Sequence, residues 1–157
     1  MNSLPQIVAL YEEVDRGFDS DRQAALTAGD QVEAQRIQQK QLVNDHAYFV
    51  LCWGQLEAEI DEACRETIAR RQADRSWEMR RGFDFYNPRD RRLSGLPFER
   101  RAAIVLDLDG GGGSPWATIT NYYGMRNSIA HGNLKATRID VSRVAQDFYV
   151  IQGALTR

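Results

Sequence analysis

From Asp30 to Arg71 the chain runs without a proline and with one glycine, Gly54. So long a stretch without a breaker favours one regular structure, a helix. Within it Phe49, Trp53, Leu56, Ile60, Ala63 and Thr67 recur at three- and four-residue spacing, the period of one helical face. Glu66 and Arg70 form an i,i+4 pair that supports the outer face. A helix with one apolar stripe must bury it against other elements, and the rest of the chain offers helices for that purpose.

Residues 5–16 read as helical, and Asp19 to Ala28 read as a second short helical piece ending at Gly29-Asp30. Residues 73–98 differ: Trp77, Phe83, Phe85, Tyr86, Pro88, Gly95 and Pro97 are interleaved with arginine, and Asn87-Pro88-Arg89-Asp90 is a turn signal. This predicts an irregular crossover with at most one short helix. Pro97 to Leu108 predicts another helical turn or two, followed by a flexible breaker over 107–113. Ser114-Pro115 reads as an N-cap with proline at the first helical position, and the helix it opens runs to about His131. Ile119, Tyr122, Tyr123 and Ala130 mark its expected buried side, and Gly132-Asn133 its stop. Thr137-Arg138-Ile139-Asp140 reads as a capping box. Val141, Val144, Phe148, Ile151 and Leu155 then recur at the spacing of a bundle seam. The expected fold is an all-α bundle of four to five helices with an irregular Arg- and aromatic-rich crossover. One domain spans 1–157, with 1–39 as a helical extension and 40–157 as the bundle.

Net charge is −2, from 20 basic and 22 acidic residues, so the chain as a whole does not read as a nucleic-acid coat. The charge is unevenly placed, however. Arg65 to Arg101 carries 11 arginines against 6 acidic residues, and the remainder carries 9 basic against 16 acidic residues. Arginine suits bidentate phosphate contacts better than lysine does. Cys52 and Cys64 lie on one predicted helix about 18 Å apart, too far for a disulfide, which needs Cα atoms within about 7 Å. They read as buried apolar residues of a reducing compartment. With His46 and His131 the only histidines and no CxxC pair, no metal site or cofactor is expected. The N-terminus lacks the pattern of a signal peptide. The longest apolar run, Ala47 to Trp53, is far short of the ~20 residues that span a bilayer. A cytoplasmic location without membrane contact is expected.

The densest chemistry lies in 122–132, where an arginine is followed after four residues by a histidine and then by glycine at a helix end. Asn127 and Ser128 stand four and three residues before His131, share its face, and can hydrogen-bond an imidazole. Arg126 is about 140° round the helix from His131 and about 7.5 Å along it, so the two do not converge within one helix. A second chain across a two-fold axis could close a composite site. Its chemistry would suit RNA. An imidazole can take the proton of a 2′-hydroxyl or give one to the leaving oxygen, and a guanidinium can stabilise charge building on the phosphate.

Met-Arg-Asn-Ser-Ile-Ala-His-Gly, 125–132, resembles the signature of the HEPN superfamily. The setting is similar as well: a penultimate helix, a bundle-forming last helix, and an earlier long helix carrying 46–57, the likeness covering roughly 40–155. The resemblance implies a HEPN-like bundle that dimerises and brings two R-x4–6-H motifs into one cleft. Many members are metal-independent endoribonucleases, often toxins or defence effectors restrained by an antitoxin protein. On that pattern Arg126 and His131 would be catalytic, and Asn127 would orient the histidine or contact phosphate. The products would be a 2′,3′-cyclic phosphate and a 5′-hydroxyl. Some members carry, two residues after the histidine, a tyrosine that an antitoxin modifies; here that position is Asn133. Other members are inactive and serve as dimerising modules that bind RNA or a protein, which is the alternative reading.

Ser128, on the His131 face, is an expected substrate contact, and so are Arg80 and Arg81, because the Arg- and aromatic-rich stretch 75–101 could stack bases and bind phosphates. Residues 103–110 resemble the strand-DxDG nucleophile motif of haloacid-dehalogenase-type phosphatases. That fold needs several βα units downstream, and only 47 residues follow Gly110. No oxygen ligands follow the Asp pair at calcium-loop spacing. His46, on the long helix, is expected to be a half-buried structural residue.

Overall fold

The computed structural model describes residues 3–84, 86, 93, 95–134 and 136–155. Six helices follow one another: α1 (Leu4–Thr27), α2 (Gln31–Gln72), α3 (Trp77–Arg80), α4 (Phe98–Val105), α5 (Pro115–Ala130) and α6 (Val141–Ala154). Among the described residues there is no strand, so the all-α class holds. No described helix is long and apolar enough to cross a membrane.

Several boundaries fall where local chemistry puts them. Gly29 (φ 77) ends α1 in a left-handed turn: its N–H donates to Leu26 O, and the Asp30 N–H donates to Ala25 O. Asp30 then starts α2, its Oδ1 accepting from the Glu33 N–H at 2.9 Å. The two short N-terminal pieces form one helix instead, since no proline interrupts 6–27 and a lone helical glycine, Gly17, costs only about 1 kcal/mol. Of residues 103–106, the strand part of the DxDG likeness, 103–105 lie in α4 and Leu106 is its extended C-cap. The cap of α6 is Asp140, whose Oδ1 accepts from Arg143 N–H at 2.8 Å, and not Thr137. Asn87-Pro88-Arg89-Asp90 and Phe85 lie outside the described residues.

Two compact units divide the chain. The first comprises Met1–Gln55 with Tyr123–Phe148. Its buried residues include Leu4 and Tyr11 of α1, Phe49, Cys52 and Trp53 of α2, and Val141, Val144 and Phe148 of α6. Trp53 stacks on Tyr123 with ring centres 5.9 Å apart and meets Phe148 edge-on at 6.1 Å. His46 is buried, more deeply than expected, with Nδ1 on the Leu42 carbonyl.

The second unit comprises Leu56–Tyr122 with Tyr149–Arg157. Leu56, Ile60, Ala63, Cys64 and Ile68 of α2 are buried there, as are Phe98, Ala102 and Val105 of α4, Ile119 of α5 and Ile151 of α6. Arg101 binds Glu57 at 2.9 Å and also Asp61. Burial pushes the Asp61 carboxyl up even though Arg101 pulls it down. Gln72, the last residue of α2, donates to the carbonyls of Phe83 at 2.6 Å and Tyr86 at 2.7 Å, which fastens the start of the crossover. The two cysteines are free, and burial pushes each thiol up to about 11.

Candidate functional site

Helix α5 is fixed at both ends by its own sequence. Ser114 Oγ accepts from the Ala117 N–H at 3.1 Å, and Pro115 supplies a first position that needs no donor. At the other end Gly132 adopts φ 81. Its N–H donates to Ile129 O at 2.9 Å, and the Asn133 N–H donates to Ser128 O at 3.0 Å, the paired bonds of a Schellman motif. The motif places His131 at the last helical turn, its own N–H on Asn127 O at 3.1 Å.

The side chains of the R-x4-H motif stand as follows. Arg126 is half-buried, and Nη1 donates to Asn127 Oδ1 at 3.1 Å. No carboxylate neutralises Arg126 among the described residues. His131 is exposed, and its ring makes no hydrogen bond to a described residue. Asn127 and Ser128 are half-buried, and neither side chain bonds the imidazole, contrary to the expectation from their shared face. Asn127 serves Arg126 instead. Thus Arg126 and Asn127 are brought together, while His131 stands apart, as the angular spacing requires. Ala130, expected on the buried side, is exposed; Ile119 is buried, and Tyr122 and Tyr123 are half-buried.

The two expected phosphate contacts behave differently from each other. Arg80 Nη1 donates to the carbonyls of Asp74 (2.8 Å) and Arg75 (3.1 Å), so it braces the turn leading into α3. Arg81 is exposed and lies over the ring of Trp77, 5.4 Å from its centre. Among the described residues no group of three His, Cys, Asp or Glu side chains is placed to hold a metal ion.

A polar cluster in the first unit has no counterpart in the sequence reading. Asp45 is fully buried. Its carboxylate accepts from Arg138 Nε (2.9 Å) and Nη2 (3.0 Å), from the Tyr11 hydroxyl (3.0 Å) and from the Ile139 N–H (3.2 Å). Arg138 also binds Asp15, whose Oδ1 accepts from Gln41 Nε2 at 2.6 Å. Burial first, and then the Asp45 charge, push the Tyr11 phenol far above its usual range, so it remains a donor. The hydrogen bonds to Asp45 hold Arg138 firmly protonated. A cleft of about 520 Å³ opens beside this cluster, lined by Tyr11, Glu12, Asp15, Arg16, Arg138, Ile139, Asp140 and Ser142. Both charges of the Arg138–Asp45 pair are consumed within the cluster, so it acts as a clasp between α1, α2 and the segment that follows His131. One signal for it was present: Asp45 lies on the same helical face as Phe49 and Cys52, and a carboxylate on a buried stripe needs donors.

Comparison with protein-family models, with curated proteins and with solved structures yields no match.

Proposed function

We propose that this chain is a metal-independent endoribonuclease of HEPN type, acting as a homodimer in which Arg126 and His131 of paired subunits flank one phosphodiester. The observation that carries the reading is the state of α5's last turns: a half-buried guanidinium without a carboxylate, and an exposed imidazole bonded to no described residue. A half-buried cation left unneutralised favours an anionic ligand. Asn127, by fixing Nη1 of Arg126, leaves the remaining guanidinium donors for phosphate oxygens. His131 would take the 2′-hydroxyl proton or return one to the 5′-oxygen. The attacking oxygen forms the 2′,3′-cyclic phosphate as the bond to the 5′-oxygen breaks. Pairing of subunits is supported by α2: every exposed residue between Val43 and Gly54, namely Val43, Ala47, Val50, Leu51 and Gly54, is uncharged and non-polar.

A second reading is favoured by one observation, that no described side chain orients the His131 ring. It is a non-catalytic module of the same architecture that binds RNA or a protein. Incubation of the purified chain with total RNA in EDTA separates the two. Cleavage that disappears in both Arg126→Ala and His131→Ala, with helical content unchanged, supports the nuclease. Intact RNA at every protein concentration overturns it. Sedimentation at micromolar concentration gives a dimer on this reading, and a monomer removes the composite site.

A further inference from the structure

Among the described residues, Arg16, Arg100 and Arg126 lack a carboxylate partner at scattered positions, and the other arginines fall into two groups. Arg22, Arg36, Arg65, Arg101, Arg138 and Arg143 each have a carboxylate partner. Around the end of α2 and α3 the pattern is different. Among the described residues Arg70 meets the Thr67 hydroxyl, Arg80 meets backbone carbonyls, and Arg81 meets the Trp77 ring, none of them a carboxylate. Arg71 and Arg75 have no side-chain partner among the described residues. Asp74, Glu78 and Asp84 form no ion pair with a described arginine; Asp74 accepts from the Ser76 N–H at 2.8 Å and Glu78 from the Ser76 hydroxyl at 2.6 Å. The Ser76 bond holds the Glu78 carboxyl below its usual range. Residues 70–84 thus carry five arginines against three acids, a net positive segment in an otherwise acidic chain.

The same segment exposes a large aromatic ring. Trp77 is 60 % exposed, although Arg81 lies over it. Trp53, by contrast, is buried. An exposed tryptophan in contact with one guanidinium and within six residues of Arg71 and Arg75 along the chain has the parts of a stacking platform for an unpaired nucleic-acid base, with the phosphates on either side met by arginine. A duplex hides the faces of its bases, so the platform selects single strands.

We propose that Trp77 and Arg81, with Arg71 and Arg75, form a binding platform for single-stranded nucleic acid. One base stacks on the Trp77 ring and the flanking phosphates lie on the guanidiniums. This deepens the nuclease reading by assigning the substrate-gripping surface, and it rests on that reading only in naming RNA as the strand that is gripped. The proposed platform reads base faces and phosphates and assigns no group to the 2′-hydroxyl, so a DNA strand of equal sequence binds within a few-fold of RNA.

The test uses the full chain carrying His131→Ala, titrated with an unlabelled 12-nucleotide single-stranded RNA, the matching single-stranded DNA and the corresponding duplex, read by tryptophan fluorescence and by anisotropy of a labelled copy. Stacking on Trp77 quenches its emission. Trp77→Ala weakens single-strand binding by roughly 10-fold and removes the quenching, and Trp77→Phe, which keeps a ring, loses less. With about three phosphates neutralised, the logarithm of affinity falls with the logarithm of salt at a slope near −2, and Arg71→Gln/Arg75→Gln flattens it. Binding of the duplex as tight as that of the strand, or a Trp77→Ala variant that binds and quenches like its parent, overturns the proposal. Because cleavage is absent from the assay by design, strand binding without RNase activity in the unmutated chain sinks the nuclease reading and leaves the platform standing. Cleavage without Trp77-dependent binding does the reverse.

Discussion

Replacing Arg138 by alanine tests whether the clasp on Asp45 carries a large share of the first unit's stability. In the native structure Asp45 has no exposed surface and receives four donors, two of them from Arg138. Arg138→Ala removes those two donors and, among the described residues, the one cation bonded to Asp45, leaving the Tyr11 hydroxyl and the Ile139 N–H to hold a buried carboxylate. Breaking a buried ion pair from one side costs about 3–5 kcal/mol. The Arg138 side chain is 37 % exposed, so solvent already screens part of its interaction, and the lower end, about 3 kcal/mol, is expected. For a chain of this size that corresponds to a midpoint lowered by roughly 6–12 °C. Arg143→Ala is the control. Its pair with Asp147 spans 3.4 Å on a largely exposed side chain and should be worth no more than about 0.5 kcal/mol. Urea unfolding followed by circular dichroism gives both numbers, and Asp45→Ala/Arg138→Ala completes a double-mutant cycle with an expected coupling of about 2 kcal/mol. If Arg138→Ala is no more costly than Arg143→Ala, the buried pair is not the anchor described here.

Two further outcomes follow from local geometry and one from titration. Gly132→Ala forces a β-carbon into a left-handed conformation at φ 81 and should cost about 1 kcal/mol, with a fall in thermal midpoint as the measure. Ser114→Ala removes the bond to the Ala117 N–H and should cost about 1 kcal/mol by the same assay, whereas Ser114→Asp retains most of it. Both thiols are raised from 9.0 to about 11 by burial, so the folded state keeps them neutral while the unfolded state ionises first. Stability is thus fully present below pH 9 and declines as pH rises through about 11, a decline that Cys52→Ala/Cys64→Ala should reduce in a pH series of urea midpoints.

The parts of the fold legible in the sequence are those set by contacts close along the chain. The α2 stripe from Phe49 onward, the Ser114-Pro115 start of α5, its Gly132 stop and the α6 seam each depend on residues within a turn or two. The errors share a cause as well. Thr137 matched a four-residue capping template, but the helix begins only after Asp140, which is itself a good cap, so the nearer residue wins. The expected split between 5–16 and 19–28 does not occur, because propensity alone cannot see that Gln41 donates to both Asp15 and Asp19, one on each side of Gly17. At the candidate site the R-x4-H residues and the end of α5 were legible. The partner of Asn127 was not, since a helix face specifies which side chains are near one another and not which of two neighbours an amide will choose. The clasp was hidden for a different reason: its members are far apart in sequence, and only the presence of Asp45 on a buried face hinted at it.

That separation has a kinetic consequence. Arg138 meets partners 93 to 127 residues away, so its bonds can form only after a large part of the chain has been gathered. Helices such as α2 and α6 need no such closure and can be present in the transition state. Contacts made after the barrier is crossed influence escape from the native state more than entry into it. Loss of Arg138 should therefore accelerate unfolding while refolding keeps nearly its original rate, making this one guanidinium a determinant of how long the native chain persists.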